Sequence, residues 1–377
     1  MCAKKRVGWA LLAGVVGILA MCGSGFAFEI NERLHVGGVL AGVYQHQAIH
    51  RAQDGSSLGS GMLVFEPEVA LDLSDRDRFF LKLGFGAGNG LMQPGRSPFV
   101  LAPWGASTED DYKNINGRNL DYLLTAWYKH TFRFSEDHTL GITGGIIDAA
   151  DYLDDNAFAN DEFTQFMNEA LVNGPNVFVP SYDVGAAVEW DLRGLSVRGV
   201  FMALGSNGWE GDLEESYEAY LLQVGYTLDF GLGEGNYRVL TGVSSRSFPN
   251  PAETGMERRV CVLASLDQSL GSVFGIWARL GWHDDRAAVD HRSIFSGGLN
   301  LTGGLWGRHQ DNIGIGYAHL RGGNVEVAHT DVFELYARFA LNEFVAVTGD
   351  VQYMRDAMKE EESPSGWIFG VRLVAAF

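Results

Sequence analysis

The 377-residue sequence contains 47 acidic and 28 basic side chains, and its formal net charge of −19 argues against nucleic acid as a partner. With 49 glycines, 9 prolines and 12% aromatic residues, the composition favours many strands joined by tight turns over a bundle of helices. Of its 3 cysteines, Cys2 and Cys22 lie in an N-terminal segment expected to be removed, so Cys261 is left alone and no disulfide framework is expected. No Cys-x-x-Cys-His run occurs, so covalently attached haem is excluded and no cofactor is expected.

The N-terminal segment predicts export. Basic residues at positions 4–6 precede an uncharged run over residues 7–28, and this run ends in the small-residue site Gly25-Phe26-Ala27. We therefore expect a signal peptide at residues 1–27 and a single mature domain at residues 28–377. A membrane anchor stays open as an alternative because the run is just long enough to span, and Cys22 leaves room for a lipoprotein signal.

The mature chain has the periodicity of strands. After Phe28 no apolar stretch reaches the roughly 18 residues that a membrane helix requires, whereas segments of about ten residues alternate apolar and polar side chains. In the last segment Trp367, Phe369 and Val371 share one face and Arg372 lies on the other. The pattern predicts strands at about 34–44, 62–73, 77–88, 119–132, 138–147, 181–192, 194–205, 217–230, 236–246, 258–268, 272–282, 293–303, 311–320, 331–341, 344–354 and 366–377. The predicted fold is all-β, a transmembrane antiparallel β-barrel of about 16 strands with lipid outside and water inside.

The connections between these segments are predicted to alternate strictly between long and short. The long set includes residues 45–61, 89–118, 148–180, 206–216 and 355–365, and the short set includes residues 74–76, 134–137, 231–235 and 342–343. Bacterial barrels have short periplasmic turns and long outer loops, so an even strand count with both termini periplasmic follows. Aromatic residues near strand ends are expected to form two interfacial girdles, among them Tyr44, Tyr128, Trp190, Phe230, Trp282, Tyr317 and Trp367.

Motifs between about Gly141 and Phe377 carry a family resemblance. They lie at residues 144–148 (GGIID), 156–168 (NAFANDEFTQFMN), 311–318 (DNIGIGYA), 334–339 (ELYARF) and 350–353 (DVQY). These motifs resemble the carbohydrate-selective outer-membrane porin family (OprB-like), which implies passive or facilitated diffusion of small hydrophilic solutes, above all carbohydrates. Gly349 stands where the family usually has Pro, and residues 354–366 replace a short turn. These departures put the solute preference in question more than the fold.

The resemblance also implies a location and partners. It places the barrel in the bacterial outer membrane, surrounded by outer-membrane lipid and lipopolysaccharide and crossed by small sugars or other hydrophilic solutes. The barrel assembly machinery is expected to recognise the aromatic C-terminal residue, Phe377. Monomeric and trimeric assemblies both stay open.

The third outer loop is the expected constriction. If the strand count holds, this loop is Asp148–Pro180, and in porins of similar size it folds inward. Residues 161–173 predict a short helix capped by Asp161, which would bring carboxylates and rings into the aperture, where they can meet the hydroxyls and faces of a sugar. The expected aperture residues are Asp148, Asp161, Phe163 and Phe166. A solvated outer loop packed on itself is the alternative.

Strand parity places a polar and charged set of side chains on the lumen face. Its members are Arg198, Arg279, Arg338, Arg372, Glu66, Glu189, Glu334, Asp350, Gln223 and Gln352. Opposed rows of arginine and carboxylate would set up a transverse field that orders water and disfavours apolar solutes. Ion pairs that brace the wall are the alternative role for many of them.

Other functions stay open from the sequence. Residues 283–285 (HDD) and 290–293 (DHRS) lie in one predicted outer loop and could mimic the dyad of an outer-membrane hydrolase, although a hydrated polar loop is the simpler interpretation. Acidic residues between positions 148 and 161 offer oxygen ligands for calcium, but their spacing matches no EF-hand loop. We therefore assign no catalytic residue and no metal site. A general or cation-preferring porin and the barrel of an electron-conduit complex with a haem protein are further alternatives.

Overall fold

The computed structural model describes residues 28–51, 57–92, 97–106, 112–207 and 215–377, and the predicted signal peptide at residues 1–27 lies outside the described residues. Sixteen wall strands, β1 to β16, run in chain order over Leu34–Arg51, Leu58–Ser74, Asp77–Leu83 continued by Phe85–Ala87, Leu123–Ser135, His138–Ile147, Asp183–Leu192, Leu195–Leu204, Tyr217–Asp229, Glu234–Ser244, Val260–Leu270, Phe274–His283, His291–Thr302, Asn312–Gly322, Val327–Ala340, Val345–Met358 and Ser365–Ala376. Short strands occur at Phe28–Asn31, Phe248–Pro249 and Met256–Glu257. One α-helical turn, α1, spans Glu169–Val172, and 3-10 turns span Gly90–Met92, Ile115–Gly117, Ala149–Asp151 and Gly303–Trp306.

The wall closes on itself. Each strand pairs antiparallel with its neighbour in sequence, and β16 returns to pair with β1 from Val39↔Ala376 to Arg51↔Ser365. The short leading strand Phe28–Asn31 pairs with the first residues of β1. Closure leaves no open sheet edge, which is the condition for a sheet in a bilayer. The predicted antiparallel barrel of sixteen strands is confirmed.

The two faces of the wall differ as the alternation predicts. On β8 the side chains of Tyr220, Leu222, Val224 and Tyr226 are exposed on the outside, whereas Gln223 points inward and is 2% exposed. Large apolar side chains therefore cover the outer surface, and polar ones meet the lumen. This is the arrangement of a barrel with lipid outside and a polar interior.

The predicted connections need two corrections. Alternation of long and short is not strict, because the periplasmic connection 303–311 is longer than the outer connection 323–326. The first includes the turn Gly303–Trp306 and is closed by an ion pair between Arg308 and Asp311. Several strands also extend beyond their predicted ends, for example β1 to Arg51. An outer strand end rises above the hydrocarbon layer, where alternation of apolar and polar residues no longer marks the strand.

The interior of the barrel is filled by two inward loops rather than by wall side chains alone. We name the connection 88–122, between β3 and β4, L2, and the connection 148–182, between β5 and β6, L3. Their buried apolar residues join wall residues in two clusters, one of which includes Phe166 and Leu171 and the other Trp104 and Met167. Among the residues described, no helix has the length and apolarity to cross a membrane.

Candidate functional site: the lumen and its two inward loops

L3 folds into the barrel and packs against the wall. Met167, Asn168, Ala170 and Leu171 are each 0% exposed, which a solvated outer loop would not allow. The inward fold predicted from the length and position of this loop therefore holds. The wall residues that hold L3 come from β8, β10, β11 and the strands from β14 to β16.

Arg279 on β11 is one anchor of L3. Its guanidinium pairs with the carboxylate of Asp154 at 2.9 Å and donates to the carbonyls of Leu171 and Val172 at 3.2 and 3.0 Å, and also to that of Ala159. Both Arg279 and Asp154 are buried. A buried charge pair is favourable only when its remaining hydrogen-bonding groups are satisfied, and here the loop carbonyls do this.

Glu334 on β14 is a second anchor. Its two carboxylate oxygens accept the backbone N–H groups of Met167 and Asn168 at 2.6 and 2.9 Å. The Asn168 side chain in turn donates to Gln352 at 2.9 Å, and the carboxyl group of Asp350 lies against that of Glu334. These four polar residues lie inside the barrel and fix the middle of L3 against β14 and β15.

The helix predicted over residues 161–173 is wrong in extent. α1 spans only Glu169–Val172 and is capped by Asn168, whose side chain accepts Ala170 N–H at 3.0 Å. Residue 161 begins a separate turn, closed by a bond from Gln165 N–H to the Asp161 carbonyl. The N–H groups at positions 167 and 168, which would continue a helix from that turn, are instead bound by the wall carboxylate Glu334.

Arg372 on β16 is a third anchor. It is 0% exposed and donates to the carbonyls of Glu162 at 2.5 Å and Gln165 at 2.9 Å. It also reaches the Thr348 hydroxyl on β15 at 3.3 Å. Like Arg279, it binds loop carbonyls rather than presenting its charge to an open channel.

L2 is a second inward loop, which the sequence did not predict. The Pro103 carbonyl accepts the side-chain amides of Gln45 and Gln352 at 3.0 and 2.8 Å. L2 also joins L3 directly, since Gly105 N–H donates to the Met167 carbonyl at 2.9 Å. The Trp104 indole donates to the Glu162 carbonyl at 3.0 Å. The two loops therefore form one inserted unit.

A cavity of about 1100 Å³ remains beside this unit. The wall contributes Glu66 from β2, Lys82 from β3, Leu204 from β7 and Tyr217 from β8. L2 lines it near residues 113–117. L3 contributes Asp148, Asp151, Asp161, Glu162, Phe163 and Tyr182. The inserted loops thus contact the wall on β1, β8 to β11 and β14 to β16, and open space is left beside Glu66, Lys82, Leu204 and Tyr217 on β2, β3, β7 and β8.

The cavity is acidic, and its lining includes the ammonium groups of Lys82 on β3 and Lys113 in L2. Lys82 faces the carboxylates of Asp151 and Glu66, and the Tyr112 hydroxyl donates to Glu66 at 2.7 Å. Burial, helped by the charge of Asp161, raises the pKa of Glu162 to about 8. Burial and the nearby Asp151 also raise the pKa of Asp148. The charge of the cavity therefore depends on pH around neutrality.

The predicted pore-lining residues fall into three groups. Asp148, Asp161 and Phe163 line the cavity. The second group holds the inserted loops and consists of Arg279, Arg372, Glu334, Asp350 and Gln352. Phe166 belongs with this group because it is 1% exposed and packs edge-on against Trp277 and Tyr336.

The third group forms local wall contacts. Glu189 pairs with Lys129 at 2.5 Å, Arg198 pairs with Asp191 at 2.7 Å, and Arg338 donates to the Gln310 carbonyl at 2.8 Å. For these residues the structure places the side chain in a bracing contact, which was the alternative role inferred from the sequence.

Several cavity residues were not predicted from the sequence, namely Lys82, Asp151, Glu162 and Tyr182. Lys82, like Glu66, falls on the inward face by the alternation of its strand, so Lys82 could have been predicted. Tyr182 had no such signal, because its position depends on how L3 folds.

The residues behind the alternative functions have structural contacts of their own. The His291 ring contacts the Thr330 hydroxyl at 2.9 Å, and the His283 ring contacts the Asp284 carbonyl at 2.6 Å. Of the acidic residues considered for calcium, Asp154 pairs with Arg279, and Asp155 pairs with Arg238 at 2.7 Å. Within the described part of the chain, no group of three His, Cys, Asp or Glu side chains is arranged to hold a metal ion.

A closed antiparallel barrel with an apolar outside and an inward third loop is the architecture of the porin class. Within that class, the model of the OprB family, described as carbohydrate-selective porin, matches residues 110–377. The chain belongs to this family. It is an outer-membrane porin, and carbohydrates are the solutes that the family description names.

The chain is also similar to individual proteins. An uncharacterized protein of Aquifex aeolicus (strain VF5) is 25% identical over 304 residues, which are 80% of this chain and 84% of that protein. The high-pH structure of OprB from Pseudomonas putida matches with a TM-score of 0.73 at 14% identity, covering 93% of this chain and 95% of that one. Its low-pH structure matches with a TM-score of 0.57, also at 14% identity, covering 93% and 94%. At this identity the two structures support the fold alone.

Proposed function

We propose that neutral sugars diffuse through the cavity between L3 and the wall formed by β2, β3, β7 and β8. The inserted loops contact the wall mainly on other strands, and this cavity offers open space for a solute beside them. Diffusion is passive or facilitated, and the chain acts as a channel rather than as an enzyme. The outer membrane supplies its lipid environment, and the assembly machinery inserts it by recognising Phe377.

The side chains that line the cavity support this proposal. Carboxylates and amides such as Glu66, Asp151 and Asn160 offer hydrogen-bond acceptors and donors to sugar hydroxyls. The rings of Phe163 and Tyr182 offer apolar faces. A neutral sugar needs both kinds of contact and carries no charge that the acidic lining would repel. A loose set of such contacts admits a solute and also releases it.

A cation-preferring general porin is the second candidate. The observation that favours it is the excess of carboxyl groups over Lys82 and Lys113 in the lining of the cavity. Both candidates predict that anionic solutes are disfavoured. They differ in the permeation rate that they predict for neutral sugars relative to inorganic cations and to other neutral solutes of the same size.

Liposome swelling with the purified full-length protein separates the candidates. The solutes are a neutral hexose, its uronic acid, its amino sugar and a non-sugar polyol of matched size. We expect the hexose to enter faster than the polyol and the uronic acid to enter slowest. Equal rates for hexose and polyol, with the amino sugar fastest, would replace the sugar channel by a cation-preferring general porin.

A further inference from the structure

The lipid-facing wall carries a charged patch at the outer ends of β13, β14 and β15. His319 and Arg321 on β13, His329 and Asp331 on β14, and Arg355 on β15 form this patch, which we call the outer rim patch. His319 faces Asp331 across the strand pair, Arg321 faces His329, and Asp331 faces Arg355. Most other outward side chains of these strands are apolar or aromatic, including Ile315, Leu335, Phe339 and Val351.

The position of the patch relative to the bilayer is inferred from a row of aromatic side chains beneath it. Tyr317, Phe333, Tyr353 and Trp367 face one another in sequence across β13 to β16, and the Tyr353 and Trp367 rings are 5.1 Å apart. In the outer rim patch, His319, Asp331 and Arg355 lie one outward-facing step beyond this row, and Arg321 and His329 lie two steps beyond it, toward the outer loops. Aromatic rings mark the level of the bilayer interface, so the patch lies at the level of lipid headgroups.

The patch has free positive charge. Asp331 is already bound by the His319 ring at 2.8 Å and by the Tyr317 hydroxyl at 2.7 Å. Within the described residues, the exposed guanidinium groups of Arg321 and Arg355 make no hydrogen bond or ion pair. The acidic stretch 360–362 in the next outer loop pairs with neither of them in that part of the chain.

An apolar groove of about 410 Å³ lies beside this patch on the outer wall. It crosses β10 to β13 and is lined by Ala264, Leu280, Trp282, Phe295, His319 and Arg321. The small side chain of Ala264 between larger neighbours makes room for it. Arg321 and His319 therefore belong both to the charged patch and to the β13 side of the groove.

We propose that this surface binds a phosphorylated lipid of the outer leaflet, with phosphate on Arg321 and Arg355 and an acyl chain in the groove. Guanidinium groups bind phosphate through paired, charge-assisted hydrogen bonds. A cationic site that adjoins an apolar groove matches a lipid and not a free anion. This site lies on the outer surface and is separate from the sugar pathway.

The test uses the full-length protein in non-ionic detergent and native mass spectrometry. Bisphosphorylated lipid A is titrated, with dephosphorylated lipid A, phosphatidylethanolamine and inorganic phosphate as separate probes. We expect retention of bisphosphorylated lipid A alone. The double variant Arg321→Gln/Arg355→Gln should weaken its binding by about tenfold or more, since each lost contact to a charged group is worth at least that factor.

Two further variants test the groove and control for the loss of an arginine elsewhere on the barrel. Ala264→Phe fills the groove without changing charge and should also weaken binding, whereas Arg133→Gln removes an exposed arginine near the periplasmic end of β4 and should not. Unchanged sugar flux checks that each variant is folded. The proposal fails if the double variant and Ala264→Phe bind like the wild type, if dephosphorylated lipid A binds equally well, if inorganic phosphate displaces the lipid, or if a second copy of the chain occupies the groove.

Discussion

Arg279 on the barrel wall and Asp154 in the inserted loop form an ion pair of 2.9 Å in which neither side chain is more than 1% exposed. The pair joins β11 to L3, and its two residues are 125 positions apart in sequence. Together with Glu334 and Arg372 it shows how this porin holds its constriction: charged wall residues bind the backbone of the loop. Much of the charge on the inner wall is thus used for structure, whereas Lys82 and several carboxyl groups of L3 line the cavity.

Breaking this pair should release L3. Arg279→Met leaves Asp154 buried without its partner, which costs about 3–5 kcal/mol in such pairs. We expect a lower unfolding midpoint in denaturant and a larger, noisier single-channel conductance. Arg198→Met is the matched control, because its pair with Asp191 is partly exposed and worth about 0–1 kcal/mol. Equal losses in the two variants would mean that Arg279 has no special role.

Removing the N-terminal cap of α1, Asn168, should loosen L3 less than breaking the Arg279–Asp154 pair. Asn168→Ala removes the bond to Ala170 N–H and the bond to Gln352. Loss of such a cap costs about 0.5–2 kcal/mol, so L3 should fluctuate without leaving the lumen. Single-channel recordings should show more frequent transitions between sublevels. Asn173→Ala, which loses a bond to Asn160 at the other end of α1, serves for comparison. Steady conductance in Asn168→Ala would contradict the anchoring role.

Much of the wall could be predicted from the sequence because alternation is a local property of a strand. Each polar residue between two outward apolar ones, such as Gln223 or Arg372, points into the lumen, and both do so in the structure. The inward course of L3 was also predicted, from its place as third outer loop and its length. Strand ends were less accurate, since alternation fades where a strand leaves the hydrocarbon layer.

The interior of the lumen could not be predicted in the same way. The helix expected at residues 161–173 is cut short by Glu334, which lies 167 residues away from Met167 in sequence. L2 enters the lumen through Gln352 and Asp356, which are separated from their L2 partners by 249 and 256 residues. No local pattern contains such contacts. Phe166 illustrates the result, since it packs against wall rings rather than facing the aperture.

Selectivity should change with pH through Glu162. Its folded-state pKa, about 8, lies above its ordinary value of 4.5, so the neutral form favours the folded loop. The stability that this carboxyl contributes is present below about pH 4.5 and is lost as pH rises through 8. Ionisation over the same range adds negative charge to the cavity. Reversal potentials in a salt gradient should therefore become more cation-selective between pH 6 and 9.

The matched variants isolate this carboxyl. Glu162→Gln should reduce the pH-dependent change and leave the part that Asp148 contributes, whereas Glu253→Gln in the exposed loop 245–259 should leave the change intact. An unchanged pH response in Glu162→Gln would assign the titration to another group, with Asp148 the next to test.

Lys82 should set the balance between anions and cations. Lys82→Gln removes the ammonium group opposite Asp151 and Glu66, and one charge at an effective dielectric between that of protein and water is worth about 1 kcal/mol. The cation-to-anion permeability ratio should rise about fivefold. Lys129→Gln is the control, because that ammonium group is paired with Glu189 on the wall and does not line the cavity. Equal ratios in wild type and Lys82→Gln would place the ion path elsewhere.

Solutes are proposed to pass between L3 and the wall of β2, β3, β7 and β8. A bulky group attached to a cysteine at this position should then block sugar flux. Cys261 is buried and should be inert, so single variants Lys82→Cys and Asp151→Cys can be labelled with a bulky, water-soluble thiol reagent in proteoliposomes. Met256→Cys, in an exposed outer loop, is labelled in parallel. The account predicts that labelling at positions 82 and 151 blocks hexose entry while labelling at position 256 does not. Full hexose flux after complete labelling at positions 82 and 151 would contradict it.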